Sequence, residues 1–259
     1  MEIRRTEPST GGQNRTPRER IEPVFGPHDE VEPDLAFDAS SSEGWPWDSN
    51  PKVSTWGVQI GFLRGLVAAA EQLDSQAKAE QASGSDEFGG LYAAGFNHDV
   101  IVVGEGDDDG DLNSSNMTRK IEAIRVPDET GKEVPLPYGG TAIMPAIRYL
   151  DDHYLSEFGK RPVAERPKRA RVVSTDGAMT DYEEFGRRLA EDHSDKWPDE
   201  QWFIAILGPA GAEHDRTLAL YNEVAARHPN VHAYSFEDVS NEAEIAEDMA
   251  IATLATKAA

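Results

Sequence analysis

Five oxygen-bearing side chains in three separate stretches of this sequence could act together. Asp38, Ser40 and Ser42 lie in "FDASSSEGW", directly after the apolar run "DLAF". Thr141 lies in "YGGT", and Asp176 ends "RVVSTD" and is followed by Gly177. Two carboxylates and three hydroxyls make an all-oxygen donor set, which suits a hard divalent cation such as Mg²⁺ or Mn²⁺ and disfavours zinc or copper. The same residues also have a plainer reading, a turn in which Asp38 and the serines bond to nearby backbone amides. Which reading holds depends on the elements that carry them.

Hydrophobic periodicity outlines those elements. "DLAF" reads as a strand, and Trp56, Ile60, Leu63, Val67 and Ala70 then share one helical face. "GLYAAGF" and "DVIVVGE" are separated only by "NHD", which predicts a hairpin. Residues 105–137 form an acidic insertion, with "MTRKIEAIRV" as a short helix or strand inside it. "AIMPAIRYLDDHYLSEF" reads as a helix whose Pro145 is tolerated in the first turn. "RARVVSTDG" is a strand stopping at Asp176, and Thr180 with Glu183 spells the T-x-x-E of a capping box for the helix "DYEEFGRRLAEDH". "WFIAILG" and "VHAYSF" are further strands; Leu218, Tyr221, Val224 and Ala225 mark the helix between them, and Ile245, Met249 and Leu254 mark a closing helix. Alternating strands and helices imply an α/β fold: a doubly wound, mostly parallel, Rossmann-like sheet with helices on both faces and one antiparallel edge hairpin. In such sheets ligands gather beyond the carboxyl ends of the strands, near the point where strand order reverses. All three donor stretches fall there.

Composition narrows the classes of partner. With 259 residues and 38% hydrophobic content, the chain is long enough for one sizeable core. Residues 1–28 are rich in Arg, Thr, Pro and Gly without apolar periodicity, so a flexible arm is expected there and a single domain over 29–259. A formal charge of −23 repels nucleic-acid phosphates and anionic membrane surfaces. The absence of cysteine excludes a disulfide framework and thiolate ligands. The amino terminus has basic residues without an apolar stretch behind them, and no run is long enough to span a bilayer, so a cytoplasmic protein is expected.

The set "DASSS", "GGT" and "TDG" resembles the metal-ion-dependent adhesion site of the von Willebrand factor A (vWA) domain family, whose pattern is D-x-S-x-S, a Thr in a separate loop, and an Asp commonly followed by Gly at the end of a later strand. The three parts occur in the family's order over roughly residues 31–256, and the "GGT" loop with its helix is most similar to the intracellular copine and bacterial tellurium-resistance-associated branch. The resemblance implies a vWA fold with a cation, Mg²⁺ or Mn²⁺ with Ca²⁺ as an alternative, held by Asp38, Ser40, Ser42, Thr141 and Asp176. It also implies a non-enzymatic module whose protein partner presents an Asp or Glu to the ion. Two departures stand out: Ser41 and "EGWPW" where the family often has Gly and then Met around the second serine, and a longer insertion before "GGT".

Other signals are weaker. "EGDDDGDLNSSN" alternates Glu105, Asp107 and Asp109 with Gly110 sixth, but it ends on Asn116 instead of the bidentate Glu of a calcium loop. The run from Lys160 to Arg171 reads as a solvated approach to its strand, or else as a phosphate or partner patch. "GPAGAEHD" lacks phosphate-loop spacing, and no G-x-S-x-G or H-E-x-x-H occurs; His98, His153, His193 and His214 read as surface or cap residues. Trp45 and Trp47 either pack over the first helix or line the rim of the site. The rival functions are a Mg²⁺-dependent phosphohydrolase of the haloacid-dehalogenase type, which needs an acid where Ser40 stands, and a structural subunit with a vestigial metal site.

Overall fold

The structure, a computed structural model, describes residues 24–26, 29–40, 46–47, 50–81, 91–103, 111–177, 179–191, 194–208, 212–236 and 242–254. The chain opens with β1 (Val31–Asp38), a short hairpin of β2 (Pro46–Trp47) and β3 (Asn50–Ser54), and the long helix α1 (Thr55–Gln81). Next come β4 (Leu91–Phe96), β5 (Val100–Val102), β6 (Asp111–Leu112), α2 (Met117–Ala123), β7 (Arg125–Pro127) and β8 (Glu133–Pro135). The second half alternates regularly: α3 (Met144–Phe158), β9 (Lys168–Thr175), α4 (Tyr182–Ala190), β10 (Gln201–Leu207), α5 (Ala212–Arg227), β11 (Val231–Phe236) and α6 (Glu242–Leu254).

The main sheet runs β11-β10-β9-β1-β4-β5, with β6 also paired to β4. The pairs β1–β4, β1–β9, β9–β10 and β10–β11 are parallel, whereas β5 and β6 run antiparallel to β4. From β1 the chain builds one half of the sheet outward through β4, then returns through β9 to build the other. This is the doubly wound arrangement the sequence predicts, with its switch point between β1 and β9.

Alternation along each parallel strand separates two cores. Leu35, Phe37, Val172, Phe203 and Ala205 face α1 and α6, packing on Phe62, Leu66 and Met249. Ala36, Val173, Ile204 and Ile206 face the other layer, packing on Ile147, Phe185 and Tyr221 of α3, α4 and α5. A sheet covered on both faces buries both side-chain sets, so its strands read as continuous apolar runs. Phe25 is only 6% exposed and belongs to the first of these cores, so packing begins ahead of the boundary expected after residue 28. Residues 1–23 of the expected arm lie outside the described residues.

Two regions differ from the sequence reading. "MTRKIEAIRV" supplies both a helix, α2, and a strand, β7, which pairs with β8. Arg169 and Arg171, read as part of a solvated basic run, are 0% and 1% exposed. They lie on the inward face of β9 and meet carboxylates from other elements. Arg169 donates to Asp34 at 2.8 and 2.9 Å and to Asp151 at 2.8 Å, Arg171 donates to Asp151 at 2.6 Å, and Arg188 pairs with Glu200 at 2.8 and 2.9 Å. The rings of Tyr154 and Trp197 each lie 4.7 Å from the Arg169 guanidinium. Three arginines and three acids thus neutralise one another near the amino ends of β9 and β10, away from the donor stretches. Buried charge survives only when paired in this way.

Candidate metal centre

Asp38 is the last residue of β1, and Asp176 directly follows the last residue of β9, Thr175. Because β1 and β9 are hydrogen-bonded neighbours, both carboxylates emerge at the switch point. Asp38 and Ser40 are 0% and 1% exposed and Thr141 is 8% exposed, while Asp176 is half-buried. Asp38 Oδ1 accepts from the Ser40 amide at 2.9 Å, and Oδ2 accepts from Thr175 Oγ1 at 2.8 Å. Thr175 Oγ1 in turn accepts from the Gly177 amide at 3.0 Å. The turn bonds of the plainer reading therefore exist, but they orient the carboxylate without exhausting its lone pairs.

The Thr141 loop is bonded to both of the others. The Tyr138 amide donates to the Ala39 carbonyl at 2.9 Å, Asn97 Nδ2 donates to the Tyr138 carbonyl at 2.9 Å, and the Ala142 amide donates to the Asn97 carbonyl. On the far side, the amide and hydroxyl of Thr180 both donate to the Thr141 carbonyl, at 2.7 and 2.8 Å. The glycines of "GGT" and "TDG" follow from backbone geometry. Gly139 has φ +95° and a Cβ there would lie 2.7 Å from His98 Nδ1; Gly177 has φ +120° and a Cβ there would overlap Thr217 of α5. Both conformations favour glycine.

The structure thus brings Asp38, Ser40 and Asp176 together and ties Thr141 to the same cluster of loops. Ser42 lies outside the described residues, as do Trp45, the Trp47 side chain, and Glu105 to Gly110 of the acidic run. The capping box expected from Thr180 and Glu183 does not form. The N-cap of α4 is Asp181 and makes no side-chain cap bond; Thr180 is engaged by Thr141, and the Asp181 carboxylate accepts instead from the Ile143 and Met144 amides at the start of α3.

Burial pushes the Asp38 carboxyl up to about 7, with the Asp176 charge adding to the rise and the bonds from Ser40 and Thr175 offsetting part of it. The Tyr221 phenol, which donates to Met179 Sδ at 3.3 Å, is also raised, by burial and then by Asp38, Asp181 and Asp176. A concentrated negative field in a dry setting is what a divalent cation relieves. The residue types fit such an ion: two carboxylates in mutual repulsion, the Ser40 side chain bonded to Asp38, and Thr141 on a loop tied to both neighbouring loops. Among the described residues no group of three or more His, Cys, Asp or Glu forms a metal cluster; a cation held here would need neutral oxygens to complete its shell. An ion balanced by only two carboxylates keeps affinity for another anionic oxygen.

Four residues support the site in ways the sequence reading does not give, Thr180 among them, which is read there only as a helix cap. Thr175 and Thr180 are single hydroxyls in a strand end and a loop, and Asn97 is one loop amide. Gln59 of α1 is 0% exposed and donates through Nε2 to Ser174 Oγ at 2.7 Å and more weakly to the Asp38 carbonyl at 3.5 Å. Its signal is in the sequence: one polar residue between Val58 and the apolar run that follows, in a helix whose neighbouring positions are core.

No family model matches the chain, and no curated protein matches it. Among solved structures it is similar to the PilB minor pilin from Streptococcus sanguinis, at 11% identity and TM-score 0.50 over 91% of this chain and 62% of that one. The D319A mutant of that pilin aligns at 11% identity and TM-score 0.49 over 86% of this chain and 61% of that one. The manganese-loaded TRAP protein of Plasmodium vivax aligns at 18% identity and TM-score 0.49, over 86% of this chain and 74% of that one. At these identities a likeness concerns the fold alone. The strand order and the helices on both faces make this a doubly wound, Rossmann-like α/β fold.

Proposed function

We propose that this chain is a metal-dependent protein-interaction module. A divalent cation, Mg²⁺ or Mn²⁺, is held by Asp38, Ser40, Thr141 and Asp176, with Ser42 as the fifth donor, and takes an Asp or Glu carboxylate of a partner protein as a further ligand. The observation that carries this reading is the meeting of two carboxylates at the switch point, where repulsion adds to burial in raising Asp38. Binding is favoured over a phosphohydrolase of the haloacid-dehalogenase type because the second acid such an enzyme needs is absent: Ser40 stands in its place. The net charge of −23 sharpens the expectation: without the ion this surface repels an acidic partner, so association is expected to depend strictly on the cation.

The test is capture from native lysate by the full chain in Mg²⁺ and in EDTA, with wild type and Thr141→Ala in parallel. A neutral hydroxyl can be replaced by water at the ion, so Thr141→Ala is expected to keep most of the Mg²⁺ stabilisation. Its affinity for the captured partner is expected to fall tenfold or more, about 1.4 kcal/mol. A partner retained equally in EDTA, or equally by Thr141→Ala, contradicts the proposal.

A further inference from the structure

The helix α3 begins at Met144, three residues after Thr141, so its amino terminus lies beside the candidate cation site. Its own sequence does nothing to cap it. The N-cap is Ile143, which has no side-chain oxygen; the first turn contains no acidic residue, and Pro145 has no amide hydrogen. An uncapped helix start carries about half a positive elementary charge and several unpaired N–H groups. Next to a cation this is doubly unfavourable.

The cap comes from another part of the chain. Asp181 accepts from the Ile143 amide through Oδ1 at 3.1 Å and from the Met144 amide through Oδ2 at 2.8 Å. Its neighbour Thr180 holds the Thr141 carbonyl with two donors. Both residues follow Asp176 closely, on the loop between β9 and α4, so one short segment carries a candidate ligand and grips the loop of another. Helix capping alone would be served nearly as well by Asn or Ser. What Asp adds is a full negative charge on the terminus that follows the Thr141 loop.

Resting on the cation reading above, we propose that Asp181 is the outer positioning residue of that site: its carboxylate cancels the positive end of α3 and locks the Thr141 loop to the Asp176 loop, so that the pair accepts a divalent cation. Asp181 is not a ligand; it acts through the α3 amides.

The test is a Mn²⁺ titration of the full chain followed by electron paramagnetic resonance, for wild type, Asp181→Asn, Asp181→Ser and Glu183→Gln, with thermal melts of each in EDTA. Asn and Ser keep capping oxygens and lose the charge, whereas exposed Glu183 lies two residues away in the first turn of α4 and loses the same formal charge. Both Asp181 variants are expected to bind Mn²⁺ at least tenfold more weakly than wild type while melting in EDTA close to wild type; Glu183→Gln is expected within about twofold of wild type. Wild-type affinity in both Asp181 variants overturns the inference. So does equal weakening by Glu183→Gln, which would reduce the effect to net charge. Weakening seen only in variants that have already lost stability in EDTA would make Asp181 a plain helix cap and overturns it too. A wild type that binds no Mn²⁺ fails at an earlier point and refutes the cation site itself.

Discussion

Cation binding at this site is expected to depend steeply on pH, with Asp38 as the cause. Its carboxyl is raised from an ordinary 3.8 to about 7 by burial and by Asp176. A cation needs the ionised form, so it competes with one proton. At pH 5, two units below that value, about one molecule in a hundred has Asp38 ionised in the absence of metal. Apparent affinity is therefore expected to lie on the order of a hundredfold below its plateau and to level off above pH 8. The metal-free protein moves in the opposite direction. A carboxyl whose folded pKa exceeds its unfolded value supports the fold in acid, fully so below about pH 4, and that support is lost as pH rises through about 7. At neutral pH the loss is on the order of 4 kcal/mol. Calorimetric titration with Mn²⁺ at pH 5 to 8, and denaturant melts in EDTA over pH 4 to 8, read the two limbs. Asp38→Asn, which mimics the protonated carboxyl, is expected to flatten the stability limb relative to wild type. Affinity that is flat between pH 5 and 7, or an Asp38→Asn protein with the wild-type pH slope, would refute the reasoning.

Two further outcomes follow from the packing. Asp151→Ala removes the acceptor shared by Arg169 and Arg171 and leaves three buried guanidiniums facing only Asp34 and Glu200, so a loss of about 3 to 5 kcal/mol is expected in denaturant melts, whereas an exposed pair would lose under about 1 kcal/mol. Gly177→Ala imposes a side chain at φ +120° against Thr217, so it is expected to lose about 1 to 3 kcal/mol in EDTA and to weaken Mn²⁺ binding as Asp176 shifts; equal stability and affinity to wild type would show that this turn does not hold Asp176.

The sheet was legible in the sequence because parallel strands buried on both faces are written as short apolar runs. "VHAYSF" coincides with β11 residue for residue, and "DLAF" falls inside β1. The short hairpin of β2 and β3 was not, because Pro46 and Pro51 interrupt any alternating pattern. The candidate donors stand in the sequence as a spacing of oxygen-bearing types around glycines, and the positive φ at Gly139 and Gly177 gives those glycines their reason. What sequence could not give was side-chain direction. Arg169 and Arg171 looked like a solvated basic run, yet the strand period turns both inward, where acids from β1, α3 and the start of β10 wait for them. Thr180 and Glu183 spelled a local cap, but the competing partner, the Thr141 carbonyl, is 39 residues away. Long-range hydrogen bonds leave no periodic trace.

The central claim, a divalent cation held at the switch point, is tested most directly by thermal melts of wild type and Asp38→Ala in saturating Mg²⁺ and in EDTA. A ligand that binds only the folded chain at a hundredfold excess over its Kd stabilises it by about 2.7 kcal/mol, which for a chain of this size corresponds to roughly 5 to 10 °C in Tm. Wild type is expected to show that shift and Asp38→Ala to show none. A wild-type Tm that is the same in Mg²⁺ and in EDTA would contradict the account.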